Sequence, residues 1–500
     1  MFKTLKKAAL PVSLGLILSG CGNTINAAPT EAIPTTPATP QSEIAPFLDT
    51  AKIAKALGGS MEWRKMEGVA YDPAAKMLYI AVSVIGKGMS DGKGDIQFAD
   101  NECGGIFAAQ LGGDMNAAKI TPILVGKPLS EGVCDESAIS EPDNIFVDKS
   151  GRLWIGEDTG NHANNMLWLY EPKTQTLKRF ATVPAGAEVT GLRVADDGTL
   201  FMNFQHPNET NPAPYNVGTI GVISGFDGNA GTFNELPIPQ GADMGKVLSA
   251  AGTYTILGQS GQAMPGSAAA LKYGEVRAAD GTSMLVCDNP DANMFLPQDA
   301  NAGTLYTHFE CQPGGVTQSE LKKVNGTWQT VSAKQLDFSA VGGTWNNCNG
   351  SVTPWGTALS SEEYPAETDA DWAKAEPAMS QSLGRKANRY DFGRISELTR
   401  SASGETQIKK HYAMGQGSWE MALVLPDQKT AYFGDDGTDR GLYKFVADTA
   451  GDLSSGTLSI AKLAQVDDPA SANGKALNIT WVKMGHGVDK NIEQAIRNLD

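Results

Sequence analysis

One local grammar recurs along this chain. A short alternating strand runs into a tight turn built on Asp with Gly, Pro or Lys, and a second strand rich in aromatic and aliphatic residues follows. It appears as GVAYDPAAKMLYIAVS (68–83), NIFVDKSGRLWIGED (144–158), GLRVADDGTLFMNF (191–204) and MALVLPDQKTAYFGDD (421–436). Long helical periodicity is scarce. TAKIAKALGG (50–59), which ends on Gly, and VDKNIEQAIRNL (488–499) are the best short helices. Hairpins of one style spread over roughly 450 residues predict an all-β fold: a β-propeller with long inserted loops and a few short helices. A large sandwich or two all-β domains would satisfy the same pattern less economically.

The first 45 residues stand outside this grammar. MFKTLKK is a basic n-region, AALPVSLGLIL is apolar but too short to span a bilayer comfortably, and LSGC is a small-residue cleavage site ending in Cys. This predicts a lipoprotein signal peptide over 1–20, acylation of Cys21, a Pro/Thr/Ala-rich tether over 21–45 and a single propeller domain over 46–500. Gly22, where an Asp would retain the protein elsewhere, points to the outer membrane of a double-membraned bacterium, in the periplasm or at the cell surface. Lys plus Arg number 40 against 56 Asp plus Glu, a net charge of −16, and no basic cluster occurs, which argues against nucleic acid as a partner. The expected species is a monomer.

Six cysteines occur, and setting Cys21 aside leaves five in an oxidising compartment. Cys103 with Cys134 and Cys287 with Cys311 are candidate local disulfides, although spacing alone does not fix connectivity. Cys348, in NNCNGSVTPWGTALSSEE (346–363), is then left over, either buried and inert or coordinated to a metal. No C-x-x-C and no H-E-x-x-H is present, so no standard zinc site is on offer. The five histidines are scattered singly, so any metal here must rely mainly on carboxylates, with one thiolate as a further candidate. Glu67, Asp143, Asp158, Glu188, Glu420 and Asp436 all fall at hairpin edges. Any one of them is adequately explained as a turn cap. Their repetition at the same edge predicts an acidic pit at the mouth of a central channel, one that needs cations.

Other motifs carry less. GMSDG (88–92) matches a nucleophile elbow but is followed by an acidic loop rather than a helix, so Ser90 is not read as a nucleophile. Asp91, Asp95, Asp100 and Glu102 in that loop form an unspecific calcium candidate. DNPDANMF (288–295) and GDDGTDRG (434–441) gather oxygen donors without EF-hand spacing, and each taken alone reads as a plain turn.

The segment 346–363 resembles the Cys-containing signature of the PhoX-type alkaline phosphatases. AEVTGLRVADDGTLFMNFQHP (187–207), EPDNIFVDKSGRLWIGEDTG (141–160) and GSWEMALVLPDQKTAYFGDDGTDRGLYKFV (417–446) are similar to further elements of that family. SGTLSIAKL (455–463) and 50–59 also have counterparts, so the likeness spans most of 50–485. The resemblance implies a six-bladed propeller with iron and calcium at the channel mouth. By matched motif it implies Cys348 and Glu420 as iron ligands, with Glu363, Glu67, Asp436 and Asp143 helping to hold the metals. It further implies small phosphoesters as substrates.

Three departures stand out. The Cys element follows elements that it precedes elsewhere in the family, so the chain reads as circularly permuted. A closed ring tolerates a moved seam. The family's Arg-Pro-Glu reads here as Arg64, Lys65, Met66 and Glu67, so the phosphate clamp falls to Lys65 or Arg64. Lys brings a point charge where Arg brings a bidentate fork. The residue before Glu420 is Trp419 rather than His. Two other readings use the same stretches: a calcium-dependent lactonase-like propeller with Glu67 and Asn144 lining the channel, and a non-catalytic calcium-binding surface propeller.

Overall fold

The computed structural model describes residues 40–267 and 271–499. The predicted signal peptide, the acylated Cys21 and most of the tether lie outside the described residues. The tether was expected to reach residue 45, but a helix already runs from Pro40 to Leu48. Phe47 on that helix is fully buried, with its ring against the backbone of Gly485 and Gly487. A Cβ at Gly487 would come within 2.8 Å of that ring, so glycine makes the notch into which the aromatic fits. Phe47 is the apolar anchor that ties this helix to the C-terminal strand Lys475–Val488.

The hairpin grammar folds as antiparallel meanders. Four-stranded meanders begin at Pro142, Glu188, Pro290 and Asn347. A nine-stranded sheet contains two further runs, beginning at Met66 and at Trp419. The first strands of these units are β1 (Met66–Asp72), β2 (Pro142–Val147), β3 (Glu188–Val194), β4 (Pro290–Asp299), β5 (Asn347–Val352) and β6 (Trp419–Val424). Each packs on the next, β1 on β2 through to β5 on β6, and β6 returns to β1. The first strands therefore close a ring, as in a propeller. Chain order is sealed at the rim, where Lys475–Val488 pairs with Lys119–Val125 through Leu477 with Ile120 and Asn478 with Lys119.

The core lies between neighbouring sheets. Trp154, Phe180 and Leu200 fill one layer, and Trp419, Phe433 and Tyr443 fill another, with Trp419 edge-on to both of its aromatic neighbours. Each large side chain buried this way contributes roughly 2–3 kcal/mol of transfer free energy. Trp419 is thus a core residue with no route to a metal.

The two expected short helices form as Thr50–Ala56 and Asp489–Arg497. A third, Asp369–Leu383, was not expected from the sequence pattern. Its side chains lack a clear apolar stripe, yet its ends are well marked: Thr368 accepts from the Asp371 amide, and Gly384 closes it in a left-handed conformation. Among the described residues no helix is long and apolar enough to cross a membrane.

Candidate metal centre

Each of the six first strands carries a β-bulge near its start, seen as a register shift between Met66 and Val69, Pro142 and Ile145, Thr190 and Arg193, Pro290 and Asn293, Asn347 and Gly350, and Trp419 and Ala422. A bulge re-aims a side chain that would otherwise follow strand alternation. The residues in these bulges are Glu67, Asp143, Asp291, Cys348 and Glu420, and in β3 Gly191. Five of the six therefore bring a metal-ligating side chain to the channel. The sixth cannot: a Cβ at Gly191 would lie 2.4 Å from Asn203 Nδ2.

A second set comes from the hairpin partner. Immediately after the second strand, Asp158, Glu310, Glu363 and Asp436 each donate a backbone N–H to the residue preceding the first strand, as Ser83 does in the first meander. Three of those preceding residues, Lys65, Glu141 and Asn346, have φ of 49°, 41° and 40°. Non-glycine residues held there cost on the order of 1–3 kcal/mol each, a strain that clusters at functional sites.

The two sets meet. Ligand atoms lie within 4.8 Å of one another in the groups Asp291–Glu310–Cys348, Cys348–Glu363–Glu420, Glu67–Glu363–Asp436 and Glu67–Asp143–Glu420. The groups share members, so they form one continuous cluster in which Cys348 joins Asp291 and Glu310 to Glu363 and Glu420. Cys348 Sγ is 3.0 Å from Asp291 Oδ2 and 2.9 Å from Glu420 Oε2. A thiol has one proton and cannot satisfy both carboxylates. The buried atoms Asp291 Oδ1, Glu420 Oε1 and Asp436 Oδ1 have no hydrogen-bond partner among the described residues. A fifth group, Asp158–Glu188–His206, flanks the cluster and connects to it through Gln205, whose amide donates to both Glu188 and Glu310.

Electrostatics give the same picture. Burial first, then the Asp436 charge, pushes the Glu67 carboxyl up to about 8. Burial raises Asp291 to about 6 and, with Asp291 adding to it, Glu310 to about 7. Burial and neighbouring carboxylates hold Asp143, Glu363, Glu420 and the Cys348 thiol well above their ordinary values. So many like charges in so small a volume cannot all ionise unless cations join them. Lys65 supplies one positive charge, with Nζ 3.1 Å from Glu67 Oε1 and 3.7 Å from Asp158 Oδ2. The Glu67 carboxylate, with Asp436, Asp158 and Asp143 behind it, outweighs burial and keeps Lys65 protonated.

Each ligand position implied by the family resemblance, Cys348, Glu420, Glu363, Glu67, Asp436 and Asp143, falls in this cluster. Asp291 and Glu310 were missed. Asp291 sits in DNPDANMF, read as a plain turn, and the structure corrects that reading: Pro290-Asp291 occupies the same bulge as Pro142-Asp143. Glu310 follows its strand as Glu363 follows its own. Arg64 does not join the cluster. It lies on a short ribbon with Thr438–Arg440, its Nη1 near Gly86 and the Asp100 carboxylate. The acidic loop does not assemble a site either. Asp95 is taken by Ser60 and Lys462, Asp100 by Ser90, Glu102 by the Gly132 amide and Asp91 by the Lys93 amide. Ser90 follows a single 3-10 turn, Lys87–Met89, and no helix comes after it. Cys103 is bonded to Cys134 and Cys287 to Cys311, which leaves Cys348 as the free, buried cysteine. His308, one of the five scattered histidines, directs Nδ1 at the Cys348 carbonyl and fixes the backbone behind the thiol.

The family model for "Alkaline phosphatase PhoX" matches residues 20–208 and 306–498. This chain belongs to the PhoX alkaline phosphatase family. No curated protein matches it. Among solved structures, Pseudomonas fluorescens PhoX in complex with vanadate, a transition state analogue, is 16% identical over 42% of this chain and 53% of that one, with a TM-score of 0.29. This chain thus spans about half the length of that PhoX structure. A luciferin-regenerating enzyme is 10% identical over 87% and 96% of the two chains, with a TM-score of 0.36. The calcium-binding protein regucalcin from Agrobacterium tumefaciens is 11% identical over 86% and 96%, with a TM-score of 0.34. Structural likenesses this loose carry no functional argument. The family assignment stands on the family model, and the cluster gathers a thiol and carboxylates in groups that could hold metal ions.

Proposed function

We propose that this PhoX-family protein is an extracytoplasmic, metal-dependent phosphomonoesterase that releases phosphate from small organic phosphoesters. The observation that carries the reading is the convergence of a lone cysteine and seven carboxylates from the first strands and the ends of their hairpin partners, with a cationic side chain held at its edge. The residues fit metal ions: three of the buried carboxylate oxygens are orphaned, and the donor set divides by chemistry. Cys348 with Glu420, Glu363, Asp291 and Glu310 mixes a soft thiolate with hard oxygens and suits iron. Glu67, Asp143 and Asp436 are all-oxygen donors and suit calcium. When bound, these cations supply Lewis acidity toward phosphoryl oxygens and the positive charge that the acidic ring lacks.

The chain's own side chains do the rest. Lys65 takes the place of the phosphate clamp. Its ammonium is held at the rim by Glu67 and Asp158 and is aimed by a strained backbone, so it presents a point charge to an equatorial phosphoryl oxygen. Tyr364 stands half-exposed at the lip, and its hydroxyl donates to Asp436, which fixes that carboxylate's orientation. Ser83 donates to the Pro142 carbonyl and lies beside Glu67, tying the first meander to the second beneath the cluster. We further read the six first strands as six blades, the protein as a monomer, and its place as a lipid-anchored protein of the outer membrane or cell surface. The test is hydrolysis of 4-nitrophenyl phosphate and simple phosphomonoesters by protein reconstituted with iron and calcium. Turnover that is lost on chelation is expected, and inactivity on every phosphomonoester after verified metal loading would overturn the proposal.

A further inference from the structure

The ring of first strands encloses a second feature, on the side of the bulges away from the metal cluster. A cavity of about 150 Å³ is lined by residues from all six of them. Its walls mix apolar side chains, Phe146, Met421, Leu423 and Val352, with polar ones, Tyr71, Asn293, Asn349 and Ser351. One lining residue stands out. Arg193, two residues beyond the glycine that occupies the β3 bulge, contributes the cavity's charged side chain. Its Nε is buried without a partner, and the guanidinium makes no hydrogen bond or ion pair among the described residues. The carboxylate that acts on it electrostatically, Asp196, is itself paired with Lys149 at 3.1 Å. Burial pulls the Arg193 pKa down to about 10, so the group stays charged at neutral pH while bearing the desolvation cost.

The Phe146 ring, 5.1 Å from the guanidinium carbon, offsets part of that cost. A cation–π contact is worth about 2 kcal/mol when desolvated, and it does not supply the hydrogen bond that the buried Nε lacks. A second donor faces the same space. The Asn349 side chain uses its oxygen on the Gly350 amide, and its NH₂ has no partner among the described residues. Asn293, also at the wall, is by contrast saturated by Gly191, Asn203 and Thr307. One cationic fork, one free amide and an apolar patch of Phe146, Met421 and Leu423 define what fits. A phosphate dianion would need more donors than are present, whereas a carboxylate matches a guanidinium bidentately.

We propose that this cavity binds a small carboxylate-bearing molecule with an apolar body, its carboxylate on Arg193 and its body against Phe146, Met421 and Leu423. The site is distinct from the metal cluster and does not depend on the phosphatase reading. Isothermal titration calorimetry of the metal-loaded protein with benzoate, and with neutral benzamide as the control, tests it. Saturable benzoate binding is expected, at least ten-fold weaker in Arg193→Met, absent for benzamide and unchanged by saturating inorganic phosphate. Should Arg193→Met not fold, a crystal structure of the wild-type protein with benzoate decides, the carboxylate being expected within hydrogen-bond distance of the guanidinium. Failure of benzoate to bind, equal binding of benzamide, binding that survives Arg193→Met, displacement by phosphate, or a carboxylate found elsewhere would each overturn the proposal.

Discussion

Replacing Glu420 with Gln should stabilise the metal-free protein and destabilise the metal-loaded one. Glu420 shares one group with Glu67 and Asp143 and another with Cys348 and Glu363, all ligand atoms within 4.8 Å. At that separation and an effective dielectric near 20, two like charges repel by about 3 kcal/mol. Glutamine keeps the shape and removes one such interaction, so the stripped variant gains on the order of 3 kcal/mol at a pH where the cluster would ionise. Unfolding a domain of roughly 460 residues releases about 1 kcal/mol per kelvin of entropy near Tm, so the gain corresponds to about 3 °C. The pH dependence has a defined sign. Glu67, raised to about 8 from 4.5, binds its proton more tightly in the folded state, so the stripped wild-type protein loses stability as pH rises from about 4.5 through 8. The advantage of Glu420→Gln should therefore be small at pH 5 and full at pH 9. With cations present the sign reverses, because a ligand charge has been removed. Differential scanning calorimetry of chelator-stripped and reconstituted proteins at the two pH values reads all four cases. A stripped variant less stable than stripped wild type at pH 9, or a shift of the same sign with and without metal, would refute the reasoning.

Lys65→Met should raise KM for a phosphomonoester ten-fold or more while leaving metal content unchanged by elemental analysis, and Lys65→Arg should recover most of that loss. Arg64→Ala, which alters a side chain outside the cluster, should leave KM within about two-fold. His411 is buried between Glu397 and Asp489, each at 3.0 Å, and clamps the C-terminal helix to the fifth meander. Burial would raise Glu397, but the hydrogen bond and charge of His411 prevail and hold it at about 2. Its stabilising contribution is therefore present above about 4.5 and lost as pH falls toward 2. Glu397→Gln should bring acid unfolding, followed by circular dichroism, to a higher pH.

Much of this was legible in the sequence, and the reasons are local. Alternation and Asp-based turns specify hairpins within a dozen residues, so the meanders over 68–83 and 421–436 could be read directly. The ligand edges followed from the same grammar, because a residue just outside a strand faces the channel mouth in every repeat. What escaped was set by register rather than composition. Asp291 joins the cluster because the β4 bulge turns it inward, and a bulge is a one-residue mismatch between two strands that neither strand displays alone. Glu310 escaped because it is followed by a disulfide cysteine and reads as part of that staple. Arg64 and Lys65 were indistinguishable as clamps in sequence. The left-handed backbone at Lys65 directs one into the cluster, while Arg64 stays on its outer ribbon. The helix Asp369–Leu383 escaped because its signals are at its ends, not along its face.

Anomalous diffraction from crystals of the protein as purified, collected across the iron edge, puts the central claim to its most direct test. The account predicts an anomalous peak within bonding distance of Cys348 Sγ and of an oxygen of Glu420, with further cation density among Glu67, Asp143 and Asp436. A metal-replete protein with no peak beside Cys348, the thiol merely sharing its proton with Asp291 or Glu420, would contradict it.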